Sequence, residues 1–267
     1  MANYHKDYAF LMDNHYSKQA EIAAEAIGRL DFPRNLPKFT YVDIGSHVGK
    51  LTGLVLDILA QYYPPIDVHC VEPDSETFQE LQANIRQKEV IFYNANFQHW
   101  LRSPGQSLSG RVDILVNSHT FYHYPEYSWP EIIQESDKLL TPHGKHVVII
   151  DSAGSSLNEI KPVLDSKIPN KRHDAFGRFL KGSDLEMYFG SAGINYTREE
   201  LPSPIHFNDN EEALDGVCHM LGFVMRYNPD DVKKYAAKDV QDFMAQYKKG
   251  GMIVFPRNQD FFVLPKQ

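Results

Sequence analysis

The stretch Tyr41-Val-Asp-Ile-Gly45-Ser-His-Val-Gly49-Lys50 joins a short apolar run, Phe39–Ile44, to a segment with helical spacing, 51–62. The apolar run is typical of a buried strand, and the glycines let the backbone turn tightly and approach a ligand closely. A strand, a glycine loop and a helix in this order indicate an open α/β sheet. In such sheets, ligands bind beyond the carboxyl ends of the strands.

The same alternation continues over the first 150 residues, with strand-like runs at 67–71, 90–93, 112–116 and 146–150. Helical stretches lie between them, which predicts a parallel sheet with helices on both faces. Asp74 or Ser75 is expected to cap one helix. Ser128 and Glu131 fit a capping box, with Pro130 in the first turn of a helix that is expected to end at Pro142 and Gly144.

The second half of the chain has a different pattern. Helical stretches at about 156–165, 183–191, 209–225 and 230–247 surround one strand near 194–199. The two late strand-like runs, Met252–Phe255 and Phe261–Leu264, are expected to pair as an antiparallel hairpin at the edge of the sheet. The pattern therefore predicts a helical cover that is inserted into, and closed by, one sheet.

Composition narrows the class of protein. The net charge is −8, and no run of Lys and Arg exceeds two residues, which argues against nucleic acid as a partner. The two cysteines show no zinc-binding spacing, so no metal site is predicted. The N-terminus lacks a signal-peptide core, and no apolar run reaches the length of a membrane span. A cytoplasmic protein with no membrane partner is expected.

Two carboxylates flank the predicted ligand site. Glu72 follows the second strand, where its oxygens can accept hydrogen bonds from both hydroxyls of a ribose. Nicotinamide and flavin enzymes also use a carboxylate to bind a ribose. The pyrophosphate of their cofactors, however, needs a glycine-rich loop with free N–H groups. Here His47 stands between the two glycines, and Asp43 would be unfavourable near a pyrophosphate but favourable near a sulfonium. A nucleotide-dependent oxidoreductase remains an alternative.

These motifs resemble the class I S-adenosylmethionine (SAM)-dependent methyltransferases. Asp43, Gly45 and Gly49 match the first motif, and Glu72 matches the ribose-binding acid. Val112–Ser118 resembles the fourth-strand motif that faces the methyl group, and Leu139–Gly144 resembles the turn before the fifth strand. The resemblance implies SAM as cofactor and a Rossmann-like, mostly parallel sheet with an antiparallel C-terminal edge and a helical substrate cover. The cofactor-binding residues that it implies are Asp43, Gly45, Ser46, Gly49, Glu72, Pro73, Asn96 and Phe97 (both near the adenine), Asn117 and Ser118.

The predicted fourth strand runs into a polar cluster, Asn117–His123, at the edge where α/β active sites gather. His119 and Tyr122 are the candidate catalytic residues that touch the methyl acceptor. Methyl transfer from a sulfonium is an in-line displacement that depends mainly on positioning. A base is needed only if the acceptor arrives protonated, and histidine suits that role near neutral pH. Alternatively, His119 only hydrogen-bonds a neighbouring loop.

The segments Leu11–Gln19 and Gly251–Asn258 resemble the histamine N-methyltransferase family, in which the N-terminal helices and the last loop close over the substrate. His119 stands where that family has a substrate-contacting glutamine. Tyr122 matches one of its tandem tyrosines, and His123 replaces the other. Asn258 lies near its substrate-binding asparagine, while its acidic substrate contact has no clean match among Lys18, Gln19 and Glu21. Tyr4, Tyr8, Phe10, His15 and Tyr16 could form an aromatic lid, or Tyr8, Leu11, Met12 and Tyr16 could be the buried face of a helix. Burial is expected for most of these residues, and contact with the substrate for Tyr16.

The sequence therefore predicts a small-molecule methyltransferase that acts on an amine or imidazole nitrogen. An O-methyltransferase and a non-catalytic SAM-binding or interaction module are the alternatives. One domain is expected, with an N-terminal helical lid (1–38), a SAM-binding core (39–151), a helical substrate cover with one strand (152–250) and the final strands (251–267).

Overall fold

The computed structural model describes residues 17–63, 65–85, 89–169, 180–225 and 227–267. Tyr16 and the other predicted lid residues, Tyr4, Tyr8, Phe10 and His15, lie outside the described residues. The strands are β1 (Phe39–Ile44), β2 (Ile66–Val71), β3 (Val90–Tyr93), β4 (Val112–Ser118), β5 (Leu140–Asp151), β6 (Thr197–Pro202), β7 (Ile205–Asn208), β8 (Lys248–Lys249), β9 (Met252–Phe255) and β10 (Asn258–Pro265). The helices are α1 (Ser17–Gly28), α2 (Lys50–Leu59), α3 (Ser75–Asn84), α4 (Phe97–Arg102), α5 (Trp129–Leu139), α6 (Leu157–Lys167), α7 (Gly182–Ala192), α8 (Ala213–Met225) and α9 (Pro229–Gln246).

The main sheet has seven strands in the order β3-β2-β1-β4-β5-β10-β6. The first five run parallel, and β10 runs antiparallel to both β5 and β6. The predicted fold class, a mostly parallel Rossmann-like sheet whose C-terminal side is antiparallel, is confirmed. The chain leaves β1 in one direction along the sheet and returns to β4 on its other side, so a crevice opens between these two strands.

The predicted hairpin between the last two strand-like runs is wrong. β9 pairs with β7 and β8 in a separate three-stranded sheet, while β10 pairs with β5 and β6. The separation follows from burial, because Ile253 and Phe255 of β9 pack into the core of the helical cover. In β10, Phe261 and Phe262 point to opposite faces of the main sheet and join two other cores. The sequence analysis did not predict β7.

Three apolar cores hold the structure together. One joins α1 and α2 to one face of the main sheet, and a second joins α4, α5 and α7 to the other face. The third lies within the cover, between α6, α8, α9 and the small sheet. Among the described residues, none of the helices combines the length and apolar character of a membrane span.

Of the two helix caps predicted from the sequence, the one at Asp74 is present and the capping box at Ser128 is not. Asp74 caps α3 by accepting hydrogen bonds from the N–H groups of Glu76 (3.1 Å) and Thr77 (2.9 Å). The capping box at Ser128 is wrong, since the Ser128 hydroxyl donates to the Pro125 carbonyl (2.7 Å) and Glu131 pairs with Arg102. This difference reflects a short 3₁₀ turn, Glu126–Ser128, which continues directly into α5.

The predicted turn before the fifth strand falls within the first residues of β5 itself. Helix α5 ends at Leu139, and β5 begins at once with Leu140 paired to Val112 of β4. Gly144 lies inside the strand, where a Cβ atom would stand 2.7 Å from the Val112 carbonyl oxygen. The same Cβ atom would stand 2.9 Å from both Leu140 Cβ and Thr141 N, and the register with β4 shifts between Leu140 and Lys145. The chain therefore folds back on itself at this glycine, which leaves no room for a side chain.

Candidate active site

An open cleft of about 1010 Å³, including its mouth, lies at the carboxyl ends of β1, β4 and β5. Helix α1, helix α8 and the start of β10 complete its walls. Six of the predicted site residues line it: Asp43, Gly45, Ser46, Ser118, His119 and Tyr122. The structure thus brings together the loop after β1 and the polar cluster after β4, as the sequence predicted.

The loop between β1 and α2 turns through three left-handed residues. Their φ angles are +70° at Gly45, +48° at His47 and +82° at Gly49. A Cβ atom at Gly45 would lie 2.4 Å from the Thr120 side chain, and one at Gly49 would lie 2.7 Å from Ile85. Both glycines are required by backbone conformation and packing, and only Gly45 lines the cleft. His47, a non-glycine residue in this conformation, is a local strain of the kind that occurs at functional sites.

Asp43 lies at the base of the loop and is 2% exposed. Its carboxylate accepts a hydrogen bond from the Thr52 hydroxyl of α2. Burial raises the pKa of Asp43 to about 6, because the ionised form loses its hydration. The residue ties the start of α2 to the end of β1 and places a titratable carboxyl in the cleft wall.

Glu72 follows β2 and holds the same loop from the other side. Its Oε2 accepts from the His47 N–H (2.9 Å), and its Oε1 accepts from the Asp74 N–H (3.0 Å). Burial raises its pKa, and the two hydrogen bonds oppose that rise. Each carboxylate oxygen keeps a further acceptor position, so both can still receive a ribose hydroxyl. Glu72 stands beside the cleft rather than in its lining, next to the exposed Pro73.

The side chains of Asn96, Phe97 and Asn117 do not line the cleft. Asn96 caps α4 by accepting from the His99 N–H (2.8 Å), and Phe97 is buried against Trp100. Asn117 is fully buried and donates to the Thr120 hydroxyl (2.9 Å).

A second contact explains where Asn117 points. Its Oδ1 accepts from His146 Nε2 (2.7 Å) on the neighbouring strand. Burial lowers the pKa of His146 to about 3, so this ring is neutral. Asn117 therefore fixes the strand end from which the 118–123 segment departs.

His119 is left-handed, with φ +53°, and its N–H donates to the Ile149 carbonyl of β5 (2.8 Å). Its Nε2 lies 2.5 Å from Gln19 Nε2 of α1 and 3.1 Å from Gln259 Oε1 of β10. Burial lowers the pKa of His119, so the ring is neutral near pH 7. His119 faces the cleft, and its Nε2 accepts a hydrogen bond from the Gln19 amide in one neutral tautomer and donates to Gln259 Oε1 in the other.

The cleft residues that the sequence analysis missed include Gln19, Asp151, Arg257 and Gln259. Arg257 donates from Nη1 to Gln19 Oε1 (2.8 Å), which orients the amide so that Gln19 Nε2 donates to Gln259 Oε1 (2.9 Å). Arg257 also forms an ion pair with Asp151. Active sites of α/β proteins lie at the carboxyl ends of the strands, which is why the cluster after β4 was predicted. Asp151 is the last residue of β5, so the same rule could have identified it.

No family model matches the chain. Bovine (Bos taurus) histamine N-methyltransferase is 23% identical over 245 residues, which cover 84% of this chain and 80% of the bovine protein. A proposed methyltransferase from Bacillus halodurans superposes with a TM-score of 0.59 at 13% identity, covering 92% of this chain and 98% of that one. Geranyl diphosphate methyltransferase in complex with SAM superposes with a TM-score of 0.51 at 13% identity, covering 93% and 84%.

The fold is that of the class I methyltransferases. Within it, the residues carried over from the histamine N-methyltransferase resemblance do not all reach the cleft. Tyr122 lines it and packs against the ring of His123 (4.5 Å between centroids), whereas His123 lies outside the lining. Asn258 donates to Glu200 and also lies outside, while its neighbours Arg257 and Gln259 line the cleft. Alternation along β10 explains the difference, since successive side chains point to opposite faces.

Proposed function

We propose that the chain transfers a methyl group from SAM to a nitrogen of a small molecule, an amine or an imidazole. The observation that carries the proposal is the order of groups along the sheet. The left-handed loop after β1 and His119 after β4 line one cleft, and Glu72 after β2 stands beside it. The likeness to bovine histamine N-methyltransferase supports the nitrogen acceptor. The SAM complex of geranyl diphosphate methyltransferase, which has the same fold, supports the cofactor.

The residues present fit the proposed cofactor. Glu72 has unused acceptor positions for ribose hydroxyls, and Gly45 presents bare backbone to the cleft. The carboxyl of Asp43 is in the cleft wall, where its ionised form stabilises a nearby positive charge. SAM supplies a methyl group that is activated by attachment to a positively charged sulfur.

The chain's own contribution to methyl transfer is positioning. His119 and Tyr122 face the cleft from the segment after β4, and Phe223 and Val224 of α8 add apolar wall. Such a pocket excludes water and holds the acceptor nitrogen with its lone pair aligned on the methyl carbon. Because His119 is neutral near pH 7, it suits a neutral nitrogen acceptor, which needs no base before attack.

Calorimetry with SAM and with its demethylated product, S-adenosylhomocysteine, tests the cofactor. In Glu72→Gln, one of the two carboxylate oxygens becomes an amide nitrogen that cannot accept from a backbone N–H or a ribose hydroxyl. We expect SAM to bind the variant about 10- to 100-fold more weakly, which corresponds to about 1.4–2.8 kcal/mol. Glu76→Gln, an exposed change in the next helix, is the matched control and should leave the dissociation constant within about twofold.

Methylation of a panel of amines, imidazoles, phenols and acids then tests the reaction. Methylated nitrogen in the product supports the proposal, and methylation only on oxygen replaces it with the O-methyltransferase alternative. Binding of SAM without any methylated product would favour a non-catalytic SAM-binding module. If neither SAM nor S-adenosylhomocysteine gives heat, the proposal fails, and a fluorescence signal from bound NADH would favour an oxidoreductase.

The proposal includes a small-molecule partner and a cytoplasmic location, both of which are predictions from the sequence. The net charge of −8 supports a partner other than nucleic acid, because affinity for phosphate backbones requires a concentration of positive charge.

A further inference from the structure

The cleft has a polar end that lies away from Glu72. Glu72 follows β2 and Asp151 ends β5, and the sheet order β2-β1-β4-β5 puts three strand spacings between them. At about 4.8 Å each, these spacings separate the two strands by roughly 14 Å. If Glu72 holds the ribose, Asp151 lies at the acceptor end.

Asp151 and Arg257 form an ion pair that is almost entirely removed from solvent. The side chains are 16% and 2% exposed, respectively. Arg257 Nη2 donates to Asp151 Oδ1, while Nη1 is held by Gln19. Within the described part of the chain, Oδ2 of Asp151 receives no hydrogen bond, and the residue faces the cleft.

Stability alone does not account for this pair. Taking two charges out of water costs several kcal/mol per ion, and apolar replacements of buried ion pairs are often neutral or stabilising. A carboxylate with one oxygen fixed by an arginine and the other facing a cavity is instead the geometry of a preorganised ligand contact. The remaining groups at this end, Gln19, Gln259 and His119, are neutral.

Gln259 provides an independent observation at the same place. It pairs directly with Asp151 across β10 and β5 and is fully buried. Its Oε1 accepts from Gln19, whereas its Nε2 has no hydrogen-bond partner among the described residues. A buried, unpartnered donor is costly, so an amide in the cleft wall with a free N–H points to a polar ligand at this end.

We propose that Asp151 is a substrate-binding residue whose free carboxylate oxygen receives an N–H of the methyl acceptor. This inference rests on the proposed function. It narrows the substrate class to amines and N-heterocycles that carry an N–H in addition to the nitrogen lone pair that attacks the methyl group. As the N–C bond forms, the C–S bond breaks with its electron pair going to sulfur, and one positive charge moves onto the acceptor. Asp151 stabilises that charge through its contact with the N–H, and the proton then passes to solvent.

Three fragments test the inference on the unmodified protein saturated with S-adenosylhomocysteine, with NMR titration as the measurement. At about pH 9, where all three rings are neutral, imidazole and 4-methylimidazole carry a ring N–H, while 1-methylimidazole has the size of the latter but lacks that donor. We expect the first two to bind at least tenfold more tightly than 1-methylimidazole. Equal affinities for the three fragments, or no binding of imidazole, would overturn the assignment.

The variant Asp151→Asn supplies the second test. It should reduce the affinity for imidazole to that for 1-methylimidazole, while the affinities for 1-methylimidazole and S-adenosylhomocysteine stay within about twofold. Asp239→Asn removes the carboxylate of an ion pair outside the cleft and should change none of these values. An unchanged preference for imidazole in folded Asp151→Asn would overturn the inference.

The two proposals fail in distinguishable ways. If S-adenosylhomocysteine does not bind, the proposed function and the inference are both wrong. If it binds but the fragments are not discriminated, only the role of Asp151 is wrong. If Asp151→Asn does not fold because Arg257 is left unpaired, the three fragments on the unmodified protein still decide the question.

Discussion

At the scale of single residues, Asp43 makes the stability of the protein depend on pH. Its pKa is about 6 in the folded chain, above the value of 3.8 for an unperturbed carboxyl, so the folded state binds the proton more tightly. Its contribution to stability is therefore complete below about pH 3.8 and is lost as the pH rises through 6. A difference of about two pKa units corresponds to roughly 3 kcal/mol.

Asp43→Asn removes this titration and nearly preserves the shape of the side chain. We compare the free energy of unfolding of the unmodified protein with that of the variant at each pH. The difference between the two proteins should shift against the unmodified protein by up to about 3 kcal/mol between pH 4 and pH 7. Urea unfolding at both pH values measures it. A difference between the two proteins that does not change with pH would show that Asp43 is not a buried titrating group.

At the scale of elements, the polar side chain of Gln19 attaches α1 to the main sheet in addition to the apolar face of the helix. Gln19 is 6% exposed and bonds Arg257 before β10 and Gln259 within it. Truncation would leave these buried partners unsatisfied. We expect Gln19→Ala to lower the free energy of unfolding by about 1–3 kcal/mol, measured by urea denaturation.

Gln246→Ala is the control for that change. Gln246 is exposed and reaches only the Asp242 carbonyl of its own helix, at 3.4 Å. Its loss should alter stability by less than about 0.5 kcal/mol. Equal effects of the two substitutions would mean that the Gln19 network does not hold α1 in place.

At the scale of the whole molecule, β10 connects the two apolar cores on either side of the sheet. Phe262 is fully buried, and its ring contacts Phe189 of α7 (5.5 Å) and Tyr196 next to β6 (5.8 Å). We expect Phe262→Ala to destabilise the fold by about 3–5 kcal/mol, because it removes buried area and leaves a cavity. Thermal and urea unfolding measure this loss.

Tyr127→Ala is the comparison, since that ring is 86% exposed. Its replacement should change stability by no more than about 0.5 kcal/mol. A small effect at Phe262 would indicate that the core beside α7 collapses around the missing ring.

Local patterns in the sequence were sufficient for the fold class and for the part of the cleft formed by the segments after β1 and β4. Apolar runs, helical spacing and a glycine at a strand end act over a few residues, which is why Asp43, Gly45 and His119 were found at the site. Asp74 was recognised as a cap for the same reason, since a cap involves only its own helix.

Contacts between distant parts of the chain decided the rest. Gln19 hydrogen-bonds Gln259, which is 240 positions away in the sequence, and Asp151 bonds Arg257, which is 106 positions away. The spacing of apolar residues contains no information about contacts at such separations. The same holds for β9, whose pairing with β7 depends on the core of the cover. The sequence by itself determined the sheet and the loop after β1. Only tertiary packing, which buries charges and amides together at one end of the cleft, decided what that end can recognise.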